Sequence, residues 1–473
     1  MLGHITPDNK QLEVLALPPA GHTVVLGTAG SGKTTMALLR AIGLSQRPEH
    51  PKVLVVTFNV ALVQYMSELN DARINNLTIE SFHKFARGYL NSLGKMPRVN
   101  GILDSTDKEE YIGTALEAIR SRYPSESTLK RPLSVFVDEI TFIQRFGFNN
   151  LNDYASAERI GRSSVNIKRE NRKWFYMVYT EYLRIREANG YLYDWDDIAY
   201  FVYKELLNDT RPRMYNHIIV DEGQDFSPVM LRALTAAVPQ NGSFTFFGDV
   251  AQQIYGNRLS WRDSGIQLRD KRIWKFDRNY RNPTTVATFA NNLMMSPYWL
   301  KSEDIIPPAR YIAEGPKPIL IHFQSKSEEK KWLISQIRST MSTSSNLIVC
   351  RDRATVKLLC SSLKINNIPS TIITRDRADL SSKTGVYLST FHSAKGLEFD
   401  NVYIPYLTDG VFPDPNTVAN APDEKSALAN ELKLLYVAVT RSKFGLFMSY
   451  HGKLSSLFPA PSTTYDQFEG DNL

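Results

Sequence analysis

The segment GTAGSGKTT, from Gly27 to Thr35, has residue types and a spacing suited to holding a phosphate. It fits the pattern G-x-x-x-x-G-K-[ST] through Gly27, Gly32, Lys33 and Thr34. The glycines let backbone N–H groups turn towards a phosphate, the lysine adds a positive charge, and the threonine hydroxyl can bind Mg²⁺. The predicted phosphate-binding loop comprises Gly27, Thr28, Ala29, Gly30, Ser31, Gly32, Lys33, Thr34 and Thr35.

Two carboxylates end a second apolar run, IIVDEGQDF, from Ile218 to Phe226. A strand that ends in this way would place Asp221 beside a metal ion and Glu222 where it can polarise a water against a γ-phosphate. An ordinary strand followed by an acidic turn would look the same in isolation. Because a phosphate-binding loop precedes it, the run predicts nucleotide hydrolysis, with Thr34 and Asp221 as the metal ligands.

A third apolar run, FTFFGDVAQQIYG, ends in Gly248 and Asp249 and continues into a polar turn. In that turn Gln252 is a neutral side chain able to sense a γ-phosphate, and Tyr255 offers a flat ring. These two residues extend the predicted site beyond the phosphate-binding loop.

The elements that must position these residues form two groups of short β-rich runs. The first group is HTVVLG, KVLVVTF, HIIVDE and FTFFGD, and the second is KPILIHF, NLIVCR, GVYLST, NVYIPYL and FGLFMSY. Helical stretches separate the runs, which predicts parallel sheets covered by helices. The predicted fold class is α/β, with a first lobe at 1–90 and 210–275, a mostly helical insertion at 91–209 and a second lobe at 276–473.

Composition limits the class of protein and the compartment. A chain of 473 residues predicts two or three domains, and its formal net charge of +7 favours an anionic partner, nucleic acid first, although a mildly basic enzyme fits equally. Cys350 and Cys360 stand without a C-x-x-C pattern, which indicates neither a disulfide framework nor a zinc site. No apolar run has the length of a membrane span, and the first residues, MLGHITPDNK, lack the apolar core of a signal peptide. We therefore expect a soluble cytoplasmic protein with no membrane partner.

Six segments, in this order, resemble the motifs of superfamily 1 DNA helicases of the UvrD/Rep type. They are TAGSGKT, VDEGQD, GDVAQQIYG, NYRNP, STFHSAKGLEFD and LLYVAVTRSK, and the resemblance runs from Gln11 to about Lys443. It implies two RecA-like P-loop NTPase lobes that use ATP and Mg²⁺ to step along single-stranded DNA, 3′ to 5′. It also implies a cleft between the lobes that closes only around a nucleotide with a γ-phosphate.

The resemblance implies roles for residues that match the family's motifs. Gln11 resembles the glutamine that reads the adenine edge, Tyr280 the ring that stacks on adenine, and Glu398 the acid that meets the ribose. Arg281 and Arg441 resemble the arginines that contact the γ-phosphate. The implied catalytic set is therefore Lys33, Glu222, Gln252, Arg281 and Arg441.

Contacts with nucleic acid follow from the same resemblance. Single strands are held by a basic channel and by aromatic faces on which bases stack. Phe58 and Phe82 fit the apolar core equally well, and Asn257 stands where many relatives have a tryptophan, so one stacking ring is absent or is supplied by Trp261. The implied contact residues are Phe58, Asn59, Ser81, Phe82, His83, Tyr255, Arg258, Thr390 and His392.

The insertion contains two further segments of interest. The basic segment RIGRSSVNIKRENRK, from Arg159 to Lys173, is typical of a solvated helix face and equally of phosphate contact in a nucleic-acid-binding protein. The three aspartates of YDWDDIA, from Tyr193 to Ala199, raise the possibility of a metal site, but no partner ligands are identifiable. The resemblance favours a structural role for them.

The stretch from Arg281 to Ser389 leaves little chain for an extra domain, because it must supply the second lobe's own strands and helices. The resemblance therefore implies a compact member without the large second-lobe insertion, acting on single-stranded DNA and at junctions of single and double strands, with a possible protein partner. One alternative is an ATPase gated by nucleic acid that regulates a partner, for example in phage defence. A plain P-loop module or kinase is a further alternative, but it leaves NYRNP, GLEFD and VTRSK unexplained.

Overall fold

The computed structural model describes residues 7–58, 60–69, 74–97, 101–157, 167–249, 261, 263–268, 273–299, 310–374, 384–419, 421, 423–460 and 463–470. Five residues singled out from the sequence lie outside these ranges: Asn59, Gln252, Tyr255, Asn257 and Arg258.

Helices and strands alternate through the first part of the chain. It begins with α1 (Asn9–Leu15), β1 (Gly21–Gly27), α2 (Lys33–Ser45), β2 (Val53–Thr57), α3 (Val60–Leu69), β3 (Leu77–Ser81) and α4 (Phe82–Ser92). The next elements are β4 (Ile102–Leu103), α5 (Ser105–Arg122), α6 (Leu133–Phe146), α7 (Leu151–Ser156), α8 (Arg172–Ala188) and β5 (Tyr193–Asp194). They are followed by α9 (Ile198–Asn208), β6 (His217–Val220), α10 (Pro228–Ala236), β7 (Ser243–Gly248) and β8 (Ile273–Phe276).

The first lobe is built on a sheet with the strand order β3-β2-β6-β7-β1-β8, in which all pairs are parallel. Successive residues of its strands face opposite cores: Val24 and Phe246 pack on one face, and Val25 and Phe247 pack on the other. Burial on both faces explains why these strands read as continuous apolar runs. The four runs predicted for this lobe are β1, β2, β6 and β7, whereas β3 and β8 were not predicted.

The second lobe follows directly. Its elements are β9 (Arg278–Pro283), α11 (Thr284–Met294), β10 (Arg310–Ala313), β11 (Ile319–Phe323), α12 (Lys326–Thr340), β12 (Ser345–Cys350), α13 (Arg353–Ile365), β13 (Thr371–Ile372), β14 (Gly385–Thr390), β15 (Phe399–Ile404), α14 (Pro415–Ala419), α15 (Glu424–Val439), β16 (Ser442–His451) and β17 (Asp466–Glu469). The main sheet has the order β13-β14-β12-β15-β16-β11-β17, again with parallel pairs. The five predicted runs are β11, β12, β14, β15 and β16, so the prediction of two α/β lobes with parallel sheets is confirmed.

Helices α5 to α8 pack around a core of their own, with Phe136 and Phe175 stacked at 4.6 Å between ring centroids. The short strands β4 and β5 pair with each other beside this core. In the part of the chain that the structure describes, no helix is both long and apolar enough to cross a membrane.

Within the insertion, a buried network of charges holds α5 and α8 to the segment before α9. The ammonium of Lys108 lies 3.3 Å from Asp194 and 2.8 Å from Asp196, and Arg186 pairs with Asp194 at 3.2 Å and also with Asp197. Burial disfavours the charge of Lys108, but Asp194 and Asp196 outweigh this effect and raise its pKa. The aspartates of YDWDDIA are therefore ion-paired, and the described residues contain no group of three or more acidic, His or Cys side chains suited to a metal ion.

Replacing Lys108 by methionine should lower the free energy of unfolding by about 3 kcal/mol or more, because it leaves buried carboxylates without their main cation. Urea unfolding followed by circular dichroism measures this change. The matched control is Lys95→Met, since Lys95 is half exposed and pairs with Glu205 at 2.7 Å, where such pairs contribute about 0–1 kcal/mol. Equal unfolding midpoints for the two variants would contradict the importance of the network.

Candidate functional site

The phosphate-binding loop joins the end of β1 to the start of α2. Gly32 directly precedes α2 and has a left-handed backbone, with φ of 79°, which glycine adopts without strain. A Cβ atom at Gly27 would lie 2.4 Å from the hydroxyl oxygen of Ser31, so the loop folds back too closely for any larger residue. The backbone N–H groups at the start of α2 and the positive end of its dipole thus face the inside of the loop, as phosphate binding requires.

Lys33 is buried inside this loop. Its ammonium donates hydrogen bonds to the carbonyl oxygens of Gly27 at 3.0 Å and Thr28 at 2.6 Å, and lies 3.9 Å from the carboxylate of Asp249. Asp249 follows β7, the neighbour of β1 in the sheet, so adjacent strands deliver the lysine and the carboxylate to one edge.

Asp221 follows β6 at the same edge and is fully buried. Neither of its carboxylate oxygens has a partner in hydrogen-bonding geometry, although the Thr34 hydroxyl is near enough to lower its pKa. Burial, reinforced by the charge of Glu222, has the larger effect and raises the pKa of Asp221 to about 7. A buried carboxylate with unused oxygens beside a threonine hydroxyl fits Mg²⁺, which prefers oxygen ligands. Thr34 and Asp221 are therefore suited to hold this ion.

Glu222 has an unusual backbone for a residue with a side chain. Its φ is 52° and its ψ is 39°, a left-handed conformation that costs free energy outside glycine and that recurs at functional sites. Its carboxylate accepts a hydrogen bond from Gln224, whose own amide oxygen accepts one from the N–H of Asp249 at 2.8 Å. Burial opposes the charge of Glu222, but Lys395 and Lys33 outweigh it and hold the pKa of Glu222 below its usual range.

A cleft of about 260 Å³ lies between the two lobes. Its first-lobe wall consists of Glu222 and the loop from Ala29 to Thr35, and its second-lobe wall contains Tyr280, Glu398 and Arg441. The structure thus brings these predicted residues together. Gly396 and Lys443 also line the cleft, and sequence reasoning gave neither of them a role, although both stand in the motif segments.

Arg441 is held rigidly in the second-lobe wall. Its guanidinium donates to the carbonyl oxygens of Val437 at 2.9 Å and Leu397 at 3.3 Å. Arg281, the other predicted γ-phosphate arginine, belongs to strand β9.

The residues predicted to contact adenine both bond to the phosphate-binding loop. The Gln11 amide donates to the carbonyl oxygen of Ser31 at 3.1 Å, and Gln11 is almost fully buried. Tyr280 donates its backbone N–H to Gly30 at 2.9 Å and its hydroxyl to the carboxylate of Asp8, the N-cap of α1. Among the described residues, Tyr280 lines the cleft and Gln11 lies behind the loop, outside the lining.

A separate groove of about 1040 Å³ is lined by both lobes and the insertion. Its aromatic residues include Phe58, His83 and Trp195. The rings of His83 and Trp195 meet edge to face at 5.1 Å between centroids, and Trp195 is 37% exposed. The cationic residues that line the groove are Lys84, Arg87, Arg145 and Arg353.

This composition suits single-stranded nucleic acid, which binds to aromatic faces surrounded by positive charge. Ser81, Phe58 and His83 were implied by the resemblance and do line the groove. Trp195 and the four cations were not predicted. Lys84 and Arg87 follow His83 in α4, whereas Trp195, Arg145 and Arg353 belong to segments far apart in the chain.

Other predicted contacts do not lie in this groove. Phe82 is completely buried and packs edge-on against Phe226 at 6.1 Å, so the expectation that it contacts nucleic acid has to be corrected: it is a core residue. Trp261 packs against Phe246 at 5.2 Å, which does not support a stacking role. Thr390 and His392 lie at and after the end of β14 and are not among the described residues that line the groove.

In the basic segment of the insertion, Arg172 is a buried structural residue. Its guanidinium donates to the carbonyl oxygens of Tyr154 and Ala157, both at 2.7 Å. Residues 159–166 of that segment lie outside the described residues.

Two parallel-sheet lobes with a phosphate-binding loop at their junction define a two-lobed P-loop nucleotide hydrolase. Residues 8–272 match the UvrD/REP helicase N-terminal domain, and residues 274–377 and 374–453 match the UvrD-like helicase C-terminal domain. The chain therefore belongs to the UvrD/Rep-like helicases, a family of ATP-hydrolysing DNA helicases. Because the match covers both lobes, it excludes the plain P-loop module and the kinase.

Individual relatives are distant in sequence. The chain is 22% identical over 468 residues to a probable DNA helicase of Mycoplasma pneumoniae. The match covers 93% of this chain and 82% of that protein. It is 27% identical over 305 residues to the putative ATP-dependent DNA helicase YjcD of Bacillus subtilis, covering 60% of this chain and 36% of YjcD. With the ATP-dependent DNA helicase Rep of Buchnera aphidicola it shares 23% identity over 294 residues, covering 58% of this chain and 42% of Rep. The chain thus spans less than half the length of YjcD and Rep.

Replacing Glu222 by glutamine should lower ATP turnover by roughly 10²-fold or more, because an amide cannot take a proton from the attacking water. ATP and ADP affinities should change little, since Lys33, Thr34 and Asp221 are untouched. Steady-state ATPase assays and binding of a fluorescent nucleotide measure the two quantities. Near-normal turnover in the variant would contradict the role given to Glu222.

Proposed function

We propose that this protein is an ATP-driven translocase on single-stranded DNA that steps 3′ to 5′ and separates strands at junctions. The observation that carries the proposal is that the same two lobes form both the nucleotide cleft and the aromatic, cationic groove. A change in the distance between the lobes alters both sites at once. This geometry supports the coupling of hydrolysis to movement along a strand.

The nucleotide site can sense a γ-phosphate from both sides. Lys33 holds the phosphates from the first lobe, and Arg441 and Arg281 neutralise the developing charge from the second lobe. Mg²⁺, held by Thr34 and Asp221, supplies further charge neutralisation when it is bound. Glu222 orients and activates the attacking water, and Gln252 senses the γ-phosphate. Loss of that phosphate removes the attraction between the lobes, and the cleft opens.

At the adenine end, Tyr280 stacks on the base, Gln11 reads its edge and Glu398 meets the ribose. The hydroxyl bond from Tyr280 to Asp8 supports this role, because it restrains a ring that lines the cleft. Gln11 keeps one lone pair and one N–H unused, since its oxygen accepts from the Asp8 N–H and its nitrogen donates to Ser31. These two unused positions match the N–H donor and the ring-nitrogen acceptor of adenine.

In the groove, bases stack on Trp195 and Phe58 while Arg87 and Lys84 contact phosphates. The described residues between β9 and β14 support a compact motor, because they belong to the lobe's own helices and strands and to the short connections between them. We infer that duplex unwinding requires a 3′ single-stranded tail or a recruiting protein partner. Asn59, Tyr255, Arg258, Thr390 and His392 remain predicted contacts.

Replacing Trp195 by alanine should weaken binding of single-stranded DNA by about tenfold, since stacking on one aromatic side chain contributes about 1–3 kcal/mol. Fluorescence anisotropy with a labelled oligonucleotide measures the affinity. Tyr123→Ala is the matched control, because Tyr123 is an insertion aromatic that is 41% exposed and does not line the groove. Equal affinity for both variants and the unchanged protein would exclude Trp195 from the binding surface.

The proposed movement is tested by ATPase rates with no nucleic acid, single-stranded DNA, single-stranded RNA and duplex. We expect single-stranded DNA to stimulate most, and we expect a label bound at the 5′ end of a single strand to be displaced in preference to one at the 3′ end. Strand separation should require a 3′ tail. Preferential displacement from the 3′ end, or robust unwinding of blunt or 5′-tailed duplex, would refute the direction or the loading mode, and a rate indifferent to all nucleic acids would refute the motor.

A further inference from the structure

The segment between β14 and β15 of the second lobe contacts the first lobe at both candidate sites. Its Gly396 lines the nucleotide cleft, and the preceding residue, Lys395, bonds to Asp225, which lines the groove. A Cβ atom at Gly396 would lie 3.3 Å from the side chain of Leu62 in α3, so the segment also packs on the helix that follows Phe58. One stretch of backbone therefore adjoins the nucleotide, the groove and α3.

Lys395 is the central contact of this segment and is only 5% exposed. Its ammonium donates to the Asp225 carboxylate at 2.6 Å and lies 3.9 Å from the Glu222 carboxylate. By contrast, Lys10, which pairs with Asp277 at 3.1 Å at the other end of the junction, is half exposed. Water screens the Lys10 pair but not the Lys395 pair, so Lys395 has the stronger electrostatic interaction with its partner across the lobes.

Glu222 and Asp225 are the two ends of one tight turn. The N–H of Asp225 donates to the carbonyl oxygen of Glu222 at 3.0 Å. Gly223 lies so close to the Phe246 ring that a Cβ atom there would be 2.1 Å away, and Gln224 is tied to Asp249. Because the turn is short, closely packed and closed by a backbone hydrogen bond, we expect a displacement of Asp225 to displace Glu222 as well.

We propose that Lys395 is the positioning residue through which the nucleic-acid groove controls hydrolysis. This inference rests on the function proposed above. A strand in the groove draws the second lobe against the first, and Lys395 transmits that approach to the turn through Asp225. The turn then aligns Glu222 with the attacking water. Lys395 itself need not touch ATP or the reacting atoms.

Replacing Lys395 by alanine should lower the ratio of DNA-stimulated to basal kcat by about tenfold or more, while the KM for ATP changes by about twofold or less. The separation of kcat from KM distinguishes positioning from loss of the nucleotide site. Lys395→Arg keeps the charge and should restore part of the stimulation. Asp225→Asn should resemble Lys395→Ala, and the double variant should be no worse than either single variant, because both changes break the same contact.

Lys453→Ala is the matched control, since Lys453 belongs to the same lobe and pairs with Asp409 at 2.8 Å on the surface. It should keep the stimulation ratio. A normal ratio in Lys395→Ala, or additive losses in the double variant, would overturn the inference.

If Lys395→Ala does not fold, Lys395→Arg and Asp225→Asn test the same contact. Absence of stimulation in the unchanged protein would refute the proposed function together with this inference, whereas stimulation that survives both single changes would refute the inference alone.

Discussion

Buried charge at the junction of the two lobes is the constraint on which the site depends. Two parallel strands of the first sheet, β6 and β7, end at one edge and deliver Asp221, Glu222 and Asp249 into a region with little water. Isolated carboxylates there would be costly, so each needs a cation or a metal ion. Lys33 comes from the same lobe, but Lys395 and Arg441 come from the other lobe. The charge balance of the site is therefore complete only when the lobes meet.

This dependence gives a physical reason for the two-lobed design. A nucleotide with three phosphates adds negative charge between the two walls of the cleft. Its direct contacts with both walls favour the approach of the lobes. A nucleotide with two phosphates offers fewer such contacts. In the proposed mechanism, the equilibrium between open and closed lobes follows the chemical state of the nucleotide without any additional signalling element.

Contiguous motifs made most of the nucleotide site predictable from the sequence. Gly27 to Thr35 and the pair Asp221 and Glu222 are each local in the chain, and parallel strands place the residues that follow them at a common edge. The groove was less predictable, because Trp195 and Arg353 meet only through the packing of the insertion against both lobes. The sequence likewise could not separate Phe82, which faces the core, from Phe58, which faces the groove. Both are phenylalanines that directly follow a strand, and only the direction of each side chain distinguishes them.

The left-handed backbone of Glu222 connects hydrolysis with the durability of the fold. Glycine and asparagine adopt this conformation more easily than glutamate does, and a strained residue of this kind costs about 1–3 kcal/mol. A population of variants selected only for resistance to heat would therefore accumulate glycine or asparagine at position 222. Such variants should unfold at a higher temperature than the original protein and, under the role proposed for Glu222, should hydrolyse ATP far more slowly. The left-handed backbone at this position is then the free-energy cost of holding a carboxylate beside the γ-phosphate.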